Sequence, residues 1–335
     1  MDDIASEIMQ ITRRDFVKHA AMASAAVGRR SPRVIGSAAQ PSTPVNFKVP
    51  AGACDCHTHV FGDGTRFPFA PGRTYTPESA TVDEMRKLHR ALHTSRVVIV
   101  QPSVYGTDNA CTLDAIRQLA PNARGIAVID DRTPDAALGE MDRMGIRGVR
   151  INLATVGQTD PEVGRRRFDA AVERIKGRKW HIQMYAQLSV IEAMQKEIAA
   201  SPVAVVFDHF GGAQAAPGVG QRGFDVLLDL VRTGQAYVKI SAPYRGSDTA
   251  PDYADMAPLA QALIRANVHR VLWGTDWPHP DTSNVEGRKP TDISPLRQID
   301  DGRVFNQFAL WAPDAADRQT ILVDNPRTLY GFADV

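Results

Sequence analysis

Three histidines and one aspartate have the types and spacing to do chemistry: His57, His59, His209 and Asp276. Imidazoles and a carboxylate are ligands for a divalent ion. The same four groups can equally hold a substrate carbonyl while the carboxylate takes a proton from water. His57 and His59 form a His-x-His pair, and on an extended strand their rings share a face about 7 Å apart. Such a pair is weak evidence alone, since paired histidines also occur as satisfied polar residues. Arg150 and Arg245 add the forked, charge-assisted hydrogen bonds suited to carboxylates.

These residues gain meaning from the elements that must carry them. From residue 53 the chain repeats one theme, a short apolar run, a polar loop and an amphipathic stretch. The pattern predicts strands at 53–60, 96–102, 124–130, 148–153, 181–186, 204–209, 236–242 and 270–276. Helices are predicted between them, near 82–93, 109–119, 134–144, 162–177, 189–199, 221–232 and 254–266, with a last one at 314–323. Eight such units predict a (β/α)8 barrel. No glycine-rich phosphate loop follows the first strand, as a doubly wound sheet would lead one to expect. Residues 277–312 form a long spacer, read as a lid or substrate-binding loop.

Active sites of such barrels lie at the C-terminal ends of the strands. Strand 1 ends in His57 and His59, strand 6 in Asp208-His209 and strand 8 in Thr275-Asp276. Arg150 and Asn152 lie on strand 4. Tyr185 lies near the end of strand 5, whereas His181 begins that strand and is read as structural. Arg245 follows strand 7. Alternation puts Asp55, His57 and His59 on one face of strand 1 and Cys54 and Cys56 on the other, toward the helices. Lys239, deep in strand 7, is expected to form an ion pair, with Asp55 as the candidate partner. His89 and His93 on a predicted helix are read as exposed.

Composition narrows the class. The chain has 335 residues, 43% hydrophobic and 23% charged, which is ordinary for a globular protein. Lys plus Arg number 39 against 38 acidic residues, a balance that argues against nucleic-acid binding. No apolar run is long enough to span a membrane. The three cysteines make no disulfide framework. Residues 12–18, with Arg13-Arg14 followed by Asp15-Phe16-Val17-Lys18, resemble a twin-arginine export signal. Residues 20–28 serve as its apolar region and Ser37-Ala38-Ala39 as small residues for cleavage. Residues 1–45 are therefore read as signal and linker, residues 46–335 as the barrel, and the periplasm as the destination, with an N-terminal arm on a cytoplasmic protein as the alternative.

The stretches GACDCHTHVFGD (52–63), RFPFAPGRTY (66–75), GTDNACTLDAIR (106–117), VVFDHFGG (205–212), WGTDWPHP (273–280) and NPRTLY (325–330) resemble the amidohydrolase superfamily. Within it they are similar to the branch of 2-pyrone-4,6-dicarboxylate lactonase. The resemblance spans residues 50–331 and implies a (β/α)8 barrel that hydrolyses a lactone ester. It implies Asp276 as the base that activates water, and His57, His59 and His209 around the lactone carbonyl. It implies Arg150, Tyr185 and Arg245 as substrate contacts, and Tyr105 and Tyr244, beside them in the sequence pattern, are read as further substrate contacts. Superfamily members often carry one or two zinc ions. This chain has Tyr185 where the fifth strand usually offers a histidine, and no lysine ends strand 4 to bridge two metals. The expectation is thus no metal, or one divalent ion such as zinc on His57, His59, His209 and Asp276.

The sequence also departs from that branch. Val104-Tyr105 replaces a Cys-His pair, and no second arginine follows strand 4 closely. The expected substrate is a small anionic lactone carrying a carboxylate or sulfonate, such as a pyrone dicarboxylate or a muconolactone-type compound, and the departures weigh against the first of these. A lactone isomerase and an exported, non-catalytic binding protein are the alternatives.

Overall fold

The computed structural model describes residues 38–283 and 285–334. The twin-arginine segment, up to Ser37, lies outside the described residues. Eight parallel strands follow one another around the sheet in chain order. They are β1 (Cys54–Thr58), β2 (Arg96–Val100), β3 (Ala123–Ala127), β4 (Ile146–Asn152), β5 (His181–Tyr185), β6 (Val205–Phe207), β7 (Ala236–Ser241) and β8 (Val271–Gly274). Their short β-branched runs are buried on both faces, as expected for strands wrapped by helices.

Helices α1 (Val82–Ala91), α2 (Ala110–Leu119), α3 (Asp135–Arg143) and α4 (Pro161–Ile175) follow β1 to β4. After β5 come α5 (Leu188–Ala193) and α6 (Gln195–Ala199), then α7 (Phe224–Arg232) after β6 and α8 (Ala257–Asn267) after β7. Local sequence starts them. Thr81 and Glu84 form a reciprocal capping box ahead of α1, and Asp160 caps α4 with Pro161 at its first position.

The sheet closes through the residues singled out above. The backbone N–H of Asp276 donates to the carbonyl of His57 at 2.8 Å, and that of His59 to the carbonyl of Trp277 at 2.7 Å. Closure needs Gly274, because a Cβ there would lie 2.7 Å from the His57 nitrogen. Asp55 seals the seam from outside. It accepts from the backbone and hydroxyl of Thr275, at 3.0 and 2.7 Å, and pairs with His89 at 3.3 Å. His89 is therefore a partly buried clamp, which corrects the reading of it as exposed.

A register shift in β1 corrects the alternation argument. Asp55 faces Val97 of β2, but Thr58 faces Ile99, so β1 holds one extra residue. Cys54 and Cys56 consequently point into the barrel, packed with Val98, Val100, Ile126, Val206 and Leu272. His57 and His59 also face inward, just above them. Tyr330 and Phe332, near the chain end, close the bottom of this interior. Arg124 holds them by donating to the carbonyls of Tyr330 and Gly331 at 3.2 and 2.9 Å.

The spacer 277–312 is not a bare loop. Ile293–Ser294 pairs with Thr76–Pro77, and a helix α9 spans Asp301–Trp311. Asp300 caps it, and Val304, Phe305, Phe308 and Trp311 bury one face at helical spacing. Trp273, Trp277 and Trp311 are all core residues. Residues 38–47, assigned in part to a linker, lie along the barrel. The Trp277 indole donates to the Ala39 carbonyl at 3.0 Å, Ser42 and Thr43 bond Asp300, and Phe47 packs on Phe305.

Candidate active site

Asp276, fully buried at the end of β8, is the centre of the arrangement. Its two oxygens have opposite surroundings. Oδ2 accepts from the Tyr244 hydroxyl at 2.6 Å and from the Arg245 guanidinium at 2.8 Å. Oδ1 has no hydrogen-bond partner. The Nε2 atoms of His59, His57 and His209 stand 3.3, 3.4 and 3.7 Å from it. Burial alone would raise the carboxyl pKa, but the Arg245 guanidinium holds it well below the usual range.

Backbone strain marks the same place. His209, Ala242 and Asp276 carry φ values of 51, 49 and 67°, in the left-handed region that side chains avoid. All three sit just past strand ends, where such strain aims side chains inward at functional sites.

The ring nitrogens facing away from Asp276 set what the inner ones can do. Nδ1 of His59 lies 2.7 Å from the carbonyl of Val100, so it must carry the proton. In the neutral ring the lone pair then lies at Nε2. Nδ1 of His209 is 2.9 Å from the Ser241 hydroxyl, which can donate or accept. Nδ1 of His57 has two neighbours with opposite demands. Asp208 Oδ1, an acceptor, is 3.2 Å away, and the Lys239 ammonium, a donor, is 3.3 Å away. Burial keeps both His57 and His209 neutral, His209 at about 4.

Beneath the rings lies a buried charge network. Lys239 donates to Gln183 at 2.6 Å and stands 3.3 Å from Asp208, not against Asp55. Asp55 is already taken up by Thr275 and His89 on the outer wall, which corrects the expected pairing. Arg150 reaches Asp208 at 3.6 Å and donates to the Gln101 carbonyl at 3.2 Å. Burial opposes ionisation of Asp208, yet His57, Lys239 and Arg150 hold its pKa well down. Because His57 is itself neutral, lysine and arginine supply the charge.

The structure thus brings together all four central residues predicted from sequence. It puts Tyr244 and Arg245 on Asp276 itself. Tyr185 stands edge-on to His209, ring centres 4.9 Å apart, and is partly exposed. Tyr105 makes its contacts elsewhere. Its hydroxyl accepts from the Gly62 N–H at 3.0 Å and its ring packs on Phe69. Two further residues belong here. Asp208 was visible only as the neighbour of His209. Tyr75 is buried in the fields of Arg150, Arg245 and Asp276, and burial pushes its hydroxyl up to about 12.

The donor set fits one cation. A ligand atom from each of His57, His59 and Asp276 lies within 4.8 Å of the others, all buried. Nε2 of His57 and Oδ1 of Asp276 are orphaned polar atoms, and His59 presents a lone pair between them. Acceptors converging without a donor are the environment a divalent ion satisfies. A second grouping, His57 with Asp208 and His209, fits less well, because Lys239 and Arg150 already neutralise Asp208.

Comparison with known proteins settles the family. The amidohydrolase family model matches residues 54–332. The chain belongs to the amidohydrolase family. It is 36% identical to a 2-pyrone-4,6-dicarboxylate hydrolase of Comamonas testosteroni, over 87% of this chain and 94% of that protein. It is 34% identical to a 4-sulfomuconolactone hydrolase of Rhizobium radiobacter, over 87% of this chain and 93% of that one. Among solved structures, a putative 2-pyrone-4,6-dicarboxylic acid hydrolase from Pseudomonas putida superimposes with a TM-score of 0.71 at 32% identity. That match covers 86% of this chain and all (100%) of the other. The barrel and the hydrolase class are those expected from the sequence. Among the described residues, no helix is long and apolar enough to cross a membrane.

Proposed function

We propose that the protein opens the ring ester of a small anionic lactone by adding water to its carbonyl. The observation that carries this reading is the asymmetry of Asp276, one oxygen tied down and the other bare inside a ring of imidazoles. The hydrolases among its relatives support the same chemistry.

In the proposed reaction a water held against Oδ1 attacks the carbonyl carbon, and its proton passes to Asp276. A carboxylate held this low is a weak base. It accepts the proton only as the attacking oxygen becomes acidic during bond formation. The carbonyl becomes an oxyanion, stabilised where neutral His57 and His209 present Nε2–H groups. Collapse breaks the ring carbon–oxygen bond, and Asp276 returns its proton to the leaving oxygen. The product is a hydroxy acid.

His57, His59 and Asp276 are the residues that would hold one divalent ion such as zinc, which when bound supplies a Lewis acid for the carbonyl oxygen. The Nδ1 proton of His57 separates the two modes. Donation to Asp208 leaves an Nε2 lone pair for a cation, whereas acceptance from Lys239 leaves an Nε2–H for an oxyanion. Arg150, Tyr75 and Tyr185, which stand next to these groups, would contact the substrate. Arg13-Arg14 supports export of the folded enzyme to the periplasm.

The test is a panel of lactones carrying a carboxylate or a sulfonate. Ring-opened hydroxy acid is expected from the wild type, and its formation should slow by roughly 10²–10⁴ in Asp276→Asn. A rearranged lactone of unchanged mass would instead support isomerisation.

A further inference from the structure

A cavity that none of the three histidines lines opens beside the site, reached through Arg150. Its volume is about 570 Å³, and it is lined by Gln101, Thr107, Arg150, Asn152, Arg166 and Arg167 among others. Arg150 joins it to the centre, since the same guanidinium reaches Asp208 behind His57. That side chain is only 5% exposed, and its Nε has no partner. A buried guanidinium N–H without an acceptor is costly unless a ligand supplies one.

Arg166 and Arg167 come from α4, which begins nine residues after β4 ends. Both are exposed at the cavity wall, and neither guanidinium has a hydrogen bond or ion pair. Other charges nearby are already engaged. Arg174 is paired with Asp135 at 3.2 Å, and Asp130 is held by Thr133 and Arg132. Asp131, at the exposed rim, is the remaining lining carboxylate. Three guanidinium groups therefore have open hydrogen-bonding capacity around one recess.

We infer that this cavity binds an anionic substituent of the substrate, with Arg150 as its floor and Arg166 and Arg167 as a second, helix-borne arm. The ligand class is a planar carboxylate or a sulfonate joined to the lactone ring, matched by the forked donors of arginine. The inference rests on the lactone reading for its substrate but not for its binding site. Arg166 and Arg167 set specificity, whereas Asp276 and the histidines carry the chemistry.

Two measurements on the full chain test it. The first is turnover of a sulfonate-bearing lactone and of its neutral parent by wild type and by the R166A/R167A double variant. For the charged lactone KM should rise about tenfold or more with kcat nearly unchanged, the loss expected for charge-assisted hydrogen bonds. For the neutral lactone nothing should change. The second is calorimetric titration with benzenesulfonate, which needs no turnover. Wild type should bind at least tenfold more tightly than the double variant, and added salt should weaken the difference. Equal benzenesulfonate affinity in the two proteins, or an unchanged KM for the charged lactone, would overturn the inference. If no lactone is turned over but benzenesulfonate still distinguishes the proteins, the cavity assignment stands and the hydrolase reading falls.

Discussion

Arg245 grips one oxygen of Asp276 from 2.8 Å and leaves the other bare. The carboxylate is thereby anchored and held anionic without losing the oxygen that faces the three imidazoles. Removing its charge but keeping its shape should stop the reaction. Asp276→Asn is expected to lower kcat by roughly 10²–10⁴, the usual contribution of a positioned base. Its melting temperature should stay close to wild type. Near-normal turnover by that variant would remove Asp276 from the mechanism.

Tyr244 offers a sharper test, because its hydroxyl bonds Asp276 at 2.6 Å and a substrate contact was expected of it. Tyr244→Phe should lower kcat about tenfold, in line with loss of one buried hydrogen bond to a charged group. KM should hardly move. The opposite split, a raised KM with normal kcat, would mean that the hydroxyl serves the substrate.

The metal question can be read without turnover. Zinc titration of the apoprotein should show about one equivalent bound per chain, and His59→Ala should abolish it, since His59 is locked with its lone pair inward. Failure of the wild type to bind zinc would leave the oxyanion to the N–H groups of His57 and His209.

Acid stability follows from the buried histidines. In the unfolded chain a histidine titrates near 6.5, whereas burial holds His209 at about 4 and His181 at about 3. Between those values the unfolded chain binds the extra protons. Their stabilising effect is thus complete above pH 6.5 and is lost as pH falls through the folded values. Melting temperature should decline from pH 7 to pH 4, and His181→Gln should flatten the decline. A melting temperature that rose on acidification would contradict the assignment of neutral rings.

How much of this was legible in the sequence depended on range. The eight strands followed from local apolar periodicity, and the four central residues from their position at strand ends. The faces of β1 did not follow, because one inserted residue between Asp55 and Thr58 breaks the two-residue alternation. Lys239 was recognisable as a buried charge needing a partner. Its partner, Asp208, lies just past the end of the neighbouring strand β6, and the pairing of β6 with β7, with Phe207 beside Val238, brings the two within 3.3 Å. Helix α9 carried a legible signal in Asp300 and the Val304, Phe305, Phe308, Trp311 spacing, but the prolines and charges before it masked it. The hold of Tyr244 on Asp276 turns on the left-handed backbone at Ala242, which no composition rule predicts.

Hydrolysis in ¹⁸O-labelled water tests the central claim most directly. With a carboxylate- or sulfonate-bearing lactone, mass spectrometry of the product should show one labelled oxygen in the newly formed carboxyl group. Asp276→Asn should form labelled product at least about a hundredfold more slowly. A product of unchanged mass, or labelled product from the variant at the wild-type rate, would contradict water attack assisted by Asp276.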